Sequence, residues 1–588
     1  MSISSTRAGR ARRPLRPLHR HLRSPVSSVS SRSSAVLAEP GLPDADGATP
    51  VRAERVRTLL QRVGGALRER PWVLTLGLCL LVLAAGLQGS DTPAESYRVW
   101  LFQHSGLVLW DNQWYGGHHV LGYSVIFPPL AGLLGSAVVG TLSCVTTTMF
   151  LTRLIRREAG EDHTLGLLWL AAAVVVDLVI GRLPFALGLT GASLAMLEVT
   201  NGRRVRVGLA AAVGSLASPL AGLLLLLVGV AWLRARPWRD VAPLGFAGAG
   251  LVAAQVFPDG GVFPFPWITL VGVLGVVGVG LLVVPSSSKV IRTGLMVYGA
   301  VAIVLFIVPS PIGGCFSRPA SLLAGPVAAV VLRKHLRSLA IVALPLLIWE
   351  LGPVTTAVAQ QADSSANPAY YAGLQHFLQS TIKAGGARPG RLEVPFTREH
   401  WEARYLAPTT PLARGWERQL DLRYNATLYQ PTLSAGHYLA WLESRGVRYV
   451  ALPDAPLEEA SANEVTLLEQ GQPYLRPIYR DKHWRVWEVK DYQGLASGAQ
   501  LTHLTVDGFT LRFAAAGNAD VLVNYSSYWV VTSGTACVTT TLDGQTRVRS
   551  LGAGDVTVAA RLSLPAMVGG STSCSDLAHA PHSPAAGD

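Results

Sequence analysis

Apolar residues run in long blocks from Trp72 to Val354 and alternate with polar ones beyond it. The blocks fall at 72–89, 122–152, 164–180, 184–200, 207–217, 219–233, 240–256, 266–285, 290–308, 319–332 and 338–354. A membrane-spanning helix needs about 20 apolar residues, so the pattern predicts a polytopic helical bundle of about eleven segments. The stretch 207–233 is either one long helix or two short ones broken at Ser218-Pro219. Positive charge decides between them. The basic clusters Arg153–Arg157, Arg203–Arg206, Arg234–Arg239, Lys289–Arg292 and Arg333–Arg337 share one cytoplasmic side only if the stretch is a broken pair. That places the N-terminus inside and the C-terminal part outside.

After Val354 the period shortens. Tyr370–Gln379 and His437–Arg445 predict helices, and Arg391–Pro395, Val447–Leu452 and Trp484–Val489 predict strands. Residues 355–495 therefore read as an extracytoplasmic α/β module. From Leu501 the chain is strand-like throughout, with Leu542-Asp543-Gly544-Gln545 as a hairpin turn, and 496–574 reads as a β-sandwich. The Arg-, Ser- and Pro-rich segment 1–70 predicts a disordered basic cytoplasmic tail with a short helix near Val51–Arg70, and 575–588 a second disordered tail. No small-residue cleavage site follows the first apolar run, so it is an anchor and not a removed signal.

Composition agrees with a membrane protein. Of 588 residues 49% are hydrophobic and 15% charged, against about a quarter charged in soluble chains; the mean hydropathy is +0.33. The net charge of +13 sits mostly in the first 70 residues and short loops. It follows the positive-inside rule and is no nucleic-acid signature, though the same residues suit anionic lipid heads. Cys79, Cys144 and Cys315 lie in or beside apolar segments as small hydrophobes. Cys537 and Cys574 fall in the exported part, where a disulfide between them is expected.

The chemistry concentrates in the loop 90–119, SDTPAESYRVWLFQHSGLVLWDNQWYGGHH. It holds Asp91, Glu95, Asp111, three histidines and three tryptophans. Asp91 lies just past the first span and Glu95 four residues on, one face of a helix. A carboxylate there suits a general base for a substrate hydroxyl, and two close carboxylates suit a divalent cation equally. Trp114 and Tyr115 suit either the interface belt or stacking on a sugar. His118 and His119 are adjacent, point apart in a strand, and do not make a zinc pair. The alternative for the whole loop is an interfacial cap on the bundle.

Four further motifs return to the same face: GRLPF (181–185), SLASP (215–219), FPDGGVFPF (257–265) and SPIGGCFSRP (310–319). Irregular backbone at membrane depth belongs against protein or a cavity, so the loops predict one shared extracytoplasmic cavity, or else ordinary tight turns. Arg182 and Arg318 are charges at the membrane boundary, costly there and suited to gripping phosphate; the alternatives are snorkelling or a salt bridge with Asp91 or Asp111. Asp177 is a further possible partner of Arg182. HWEARYLAP (400–408) and LARGWERQLDLRYN (412–425) suit sugar or head-group recognition, or a structural ion-pair network.

An N-terminal anchor, an acid-led outer loop, a Trp-Tyr-Gly-Gly segment running into a Pro-Pro helix, a helical bundle and an exported C-terminal region together resemble the GT-C superfamily of polyprenyl-phosphate-sugar-dependent membrane glycosyltransferases. Segments such as DNQWYGGHHVLGYSVIFPP, GRLPFALG, FPDGGVFPF, PIGGCFSRP and LARGWERQLD resemble those of actinobacterial integral membrane proteins of that build. Some of those carry a 6-pyruvoyl-tetrahydropterin synthase-related label, for which this chain has no coherent histidine set. The resemblance spans about 72–490. It implies sugar transfer from a polyprenyl-phosphate donor to an envelope glycan or lipid acceptor on the outer face, with inversion. It implies Asp91 as base, Glu95 as second acid, and His118, Arg182, Arg318, Trp114 and Tyr115 as groups that bind donor lipid phosphate or substrate. The leaving phosphate would be stabilised by a divalent cation or by arginine. The adjacent acid pair of many GT-C loops is absent, which keeps open a non-catalytic assembly or binding protein of this fold, or a lipid or glycan transporter.

Overall fold

The computed structural model describes residues 61–62, 64–160, 163–258, 260–384 and 389–563. The expected tails over most of 1–70 and over 575–588, together with Cys574 and Asp259, lie outside the described residues. Residues 64–69 are helical. The described residues from Arg62 onward form one compact unit.

Most apolar blocks become helices close to their predicted limits, but 240–256 becomes two short helices, Trp238–Val241 and Ala249–Val256, joined by a 3-10 stretch at Ala242–Gly248. Among the described residues five helices are long and apolar enough to cross a membrane: Ser136–Ala159, Leu183–Thr200, Lys289–Ile307, Gly313–Val331 and Leu336–Gln360. Trp72–Ala84, Thr164–Ile180, Pro219–Trp232 and Trp267–Val283 are shorter apolar helices beside them. Leu282, Leu133 and Ile341 are more than 70% exposed, as a lipid-facing surface requires. The block 122–152 departs from expectation. It splits into Phe127–Leu134 and Ser136–Ala159 at Gly135, whose φ of 89° stops the first helix. The stretch 207–233 does break, with extended Ser218 ending Arg204–Ala217 and Pro219 opening Pro219–Trp232.

Close helix contact rests on small residues. A Cβ on Gly191 would stand 2.5 Å from the Gly214 Cα, so the backbones of Leu183–Thr200 and Arg204–Ala217 touch directly. The basic helix ends gather by ion pairs, Arg236 to Glu158 at 2.6 Å and Arg204 to Asp240 at 2.7 Å.

Two sheet systems follow. The first orders Arg391–Glu393, Val447–Pro453, Trp484–Val489 and Leu475–Arg480, with the first pair parallel and the others antiparallel. The edge strand Leu475–Arg480 is absent from the sequence reading because Pro477 interrupts it, and an edge position tolerates proline. The helix expected at Tyr370–Gln379 begins later, as Ala372–Ala384 after a tight turn at Pro368–Tyr370. The second system is two antiparallel four-stranded sheets packed over one core. Its hairpin turns at Asp543-Gly544, where Gly544 takes φ 75°. Cys537 is disulfide-bonded, while Cys79, Cys144 and Cys315 are free thiols.

The loop 90–119 joins these parts. Ala94, Tyr97, Leu101, Trp114 and Tyr115 belong to the same core as Leu374, Trp401 and Trp484 of the α/β region. Trp110 belongs to the sandwich core with Phe509 and Trp529. Each of these large side chains contributes about 1.5–3 kcal/mol by leaving water, so the docking of both regions depends on the loop.

Candidate functional site

Asp91 is placed by a close backbone approach. Gly181, at φ 90°, ends the short helix Val175–Ile180, and a Cβ there would lie 2.5 Å from the Thr92 nitrogen. Only glycine allows both the left-handed turn and that contact. The Asp91 amide then donates to the Ile180 carbonyl at 3.0 Å. Arg182, the next residue, is carried to the acid. Arg318 arrives from a separate loop. A Cβ on Gly313 (φ 41°) would collide with the Phe263 carbonyl, and Gly314 donates to the Pro264 carbonyl at 3.1 Å. The two glycines thus seat SPIGGCFSRP on FPDGGVFPF and start the helix Arg318–Val331 beside the site.

The three side chains converge. Arg182 Nε and Arg318 Nη2 each lie 3.7 Å from Asp91 Oδ2, with side-chain exposures of 25%, 15% and 9% for Arg182, Arg318 and Asp91. At that distance the pairing is ionic but not closed by good hydrogen bonds. Arg182 Nε and Asp177 Oδ2 are buried with no hydrogen-bond partner, and Asp177 lies within electrostatic reach of both arginines. The Arg318 guanidinium stands 5.5 Å over the Phe185 ring. The Arg182 Nε–H is thus a buried donor without an acceptor, and Asp177 Oδ2 a buried acceptor without a donor.

Glu95 begins a second, deeper group. Its Oε1 accepts from Arg98 Nη1 at 2.8 Å, and Arg98 Nη2 reaches Glu417 at 2.5 Å. The Arg98 guanidinium lies 3.7 Å over the Tyr123 ring. All three charged side chains are at most 3% exposed. Burial pushes the Glu95 carboxyl up to about 7; Arg98 opposes the rise and the Asp91 and Glu417 charges add to it. A carboxyl poised near neutrality is matched to proton transfer. Glu95 Oε2 has no hydrogen-bond partner.

Arg98, Tyr123 and Glu417 were not singled out in the sequence. Arg98 follows Glu95 by three residues, a helical pair visible in principle. Glu417 stands more than 300 residues away, inside the LARGWERQLDLRYN segment, and nothing local marks it as a partner of Arg98. Its neighbour Trp416 donates from Nε1 to the Ser90 carbonyl at 2.9 Å, so the GWE segment of LARGWERQLD closes over the start of the acid loop. The rest of that motif is an ion-pair network. Arg414 pairs with Asp421 at 2.6 Å and lies 3.5 Å over the Phe396 ring. Burial would raise Asp421, yet Arg414, Tyr429 and Asn425 together hold it below the usual carboxylate value.

The remaining sequence candidates sit elsewhere. Asp111 and His118 pair across a two-residue ladder, with His118 Nε2 at 3.7 Å from Asp111 Oδ2. Tyr97 donates to Asp111 at 2.9 Å, and burial raises the Asp111 carboxyl despite that bond and the nearby His118. His119 points the other way, to the Pro258 carbonyl and Ser526 Oγ, and burial lowers it to about 4. Trp114 and Tyr115 are 0% exposed, with Trp114 Nε1 on the Ala403 carbonyl and Tyr115 OH on the Glu417 carbonyl. Asn524 of the sandwich donates to the Tyr115 and Gly117 carbonyls. In this conformation the WYGGHH segment is a docking hub, and its rings offer no face to a sugar. Among the described residues no three His, Cys, Asp or Glu side chains are grouped to hold a metal ion.

No protein-family model matches the chain. No curated protein matches it either. Among solved structures, apo ArnT from Cupriavidus metallidurans is similar over 71% of this chain and 97% of its own, at 14% identity and a TM-score of 0.34. A likeness of that score assigns neither fold detail nor activity.

Proposed function

We propose that the protein is a membrane glycosyltransferase of the GT-C type, acting on the outer face of the cell membrane, with the N-terminus cytoplasmic and the sheet regions extracytoplasmic. The donor is a polyprenyl-phosphate sugar and the acceptor an envelope glycan or lipid hydroxyl. The observation that carries this is the convergence of Asp91, Arg182 and Arg318 from three distant segments, beside a buried carboxyl near neutrality. The acceptor oxygen loses its proton to Asp91 or Glu95 and bonds to the anomeric carbon. The bond from that carbon to the phosphate oxygen breaks, with inversion. Arg182 and Arg318 take the charge of the leaving lipid phosphate, a role suited to their planar donor sets. Glu95, at about 7, is the better matched proton acceptor near neutral pH; Asp91 orients the two arginines and faces the phosphate.

The test is sugar transfer by the reconstituted full chain from labelled polyprenyl-phosphate sugars. Removing a general base costs about 10²–10⁴-fold, so Asp91→Asn and Glu95→Gln should each abolish most turnover, and Arg318→Gln should weaken binding of polyprenyl phosphate. Transfer that survives both acid substitutions overturns the assignment. A binding or assembly role without catalysis is favoured by one feature: the Asp91 carboxylate is already engaged by two arginines. That role predicts polyprenyl-phosphate binding lost in Arg318→Gln with no transfer by the wild type.

A further inference from the structure

A cavity of about 1460 Å³ lies among the helices of the bundle. Its walls are apolar, among them Leu225, Val276, Leu295, Leu322 and Trp349. It begins under the arginine site at Phe185 and Pro319 and ends at Arg234, Ser287, Ser288 and Lys289. From Lys289 to Tyr298, both on its wall, the helix rises about 14 Å. The volume exceeds the roughly 300–1,000 Å³ of drug-sized pockets and leaves room for lipid chains.

The mouth is positive. Arg236 is paired with Glu158, the acid that lines the cavity at this end. Arg234 and Lys289 are exposed and have no ion-pair partner among the described residues. Ser288 caps the helix Lys289–Ile307 without a side-chain hydrogen bond, which leaves its hydroxyl free to donate. Two uncompensated cations and a hydroxyl at the rim of an apolar chamber complement one kind of occupant: apolar chains ending in an anionic head.

We infer that this cavity binds an anionic membrane phospholipid, its chains among the helices and its phosphate between Arg234 and Lys289. The head group sits at the Lys289 end of the cavity and not at the Phe185 end beside Arg318, and the inference holds whether or not the Asp91 cluster transfers sugar. Each cation near a membrane surface is worth about 1 kcal/mol toward an anionic lipid, so the pair favours such a lipid about thirty-fold.

The experiment is native mass spectrometry of the detergent-solubilised full chain titrated with phosphatidylglycerol or phosphatidylcholine. Wild type should retain phosphatidylglycerol about thirty-fold better, and Arg234→Gln/Lys289→Gln should erase the preference. Gly275 lines the cavity with nothing within 4 Å of an added Cβ, so Gly275→Leu should fill the chamber and displace the lipid without lowering the melting temperature. Equal retention of the two lipids, or phosphatidylglycerol retained in both variants, overturns the inference. So does competition by glycerol phosphate, which has the head and no chains.

Discussion

Removing Arg98 should destabilise the protein in a way that depends on pH. Among the described residues Arg98 is the only guanidinium bonded to the Glu95 and Glu417 carboxylates, and the three groups are nearly inaccessible to water. Arg98→Met keeps the length and packing of the side chain but leaves two buried acids without their cation. Breaking a buried ion pair by removing one partner costs about 3–5 kcal/mol, which corresponds to a fall of about 6–20 °C in apparent melting temperature for a domain-sized unit. The fall should be smaller at pH 6 than at pH 8. Without Arg98 the Glu95 carboxyl, already at about 7, rises further, and a carboxyl raised in the folded state loses stability as pH rises through its folded value. The assay is thermal unfolding of the detergent-solubilised chain at both pH values. Arg98→Met/Glu95→Gln/Glu417→Gln, which replaces the charges with neutral groups, should recover most of the loss, since whole-cluster neutralisation is tolerated where single removal is not. If Arg98→Met melts with the wild type at every pH, the triad is not a closed buried network and the coupling of Glu417 to the acid loop is wrong.

Three further outcomes follow from the same geometry. Glu95→Gln should flatten the stability profile between pH 5 and 8 by up to roughly 3 kcal/mol, the worth of a carboxyl moved from 4.5 to about 7; thermal melts across that range measure it. Gly191→Leu should separate Leu183–Thr200 from Arg204–Ala217 and cost about 1–3 kcal/mol or prevent insertion, as overpacking does, which expression level and melting temperature report. Cys537→Ser removes a disulfide from the sandwich and should cost about 2–5 kcal/mol, with the same loss produced in wild type by reductant.

The covalent order of apolar and polar residues was enough to establish the bundle. Among the described residues five blocks gave helices long and apolar enough to cross a membrane and four gave shorter apolar helices, because an embedded apolar segment requires a helix whose backbone bonds are satisfied internally. Even the break at Ser218-Pro219 was legible, since proline cannot continue a helix. The hairpin at Asp543-Gly544 was legible for a similar local reason. The acid, the two arginines and the glycine loops could also be selected one by one, as costly or permissive residues in unusual places.

Which of them meet was decided only in three dimensions. Nothing local brings Arg182 and Arg318 to the same oxygen of Asp91; Gly181 and Gly313 do so by letting distant backbones touch. Trp114, Tyr115 and His118 share the polar, aromatic character of a binding loop, yet two folded regions bury them, because a tryptophan suits a docking core as well as a sugar platform. Glu417 escaped notice for the complementary reason. A lone acid in a charged stretch is ordinary until folding removes it from water and places it on Arg98, and the energy of a charge depends on that environment rather than on its neighbours in the chain.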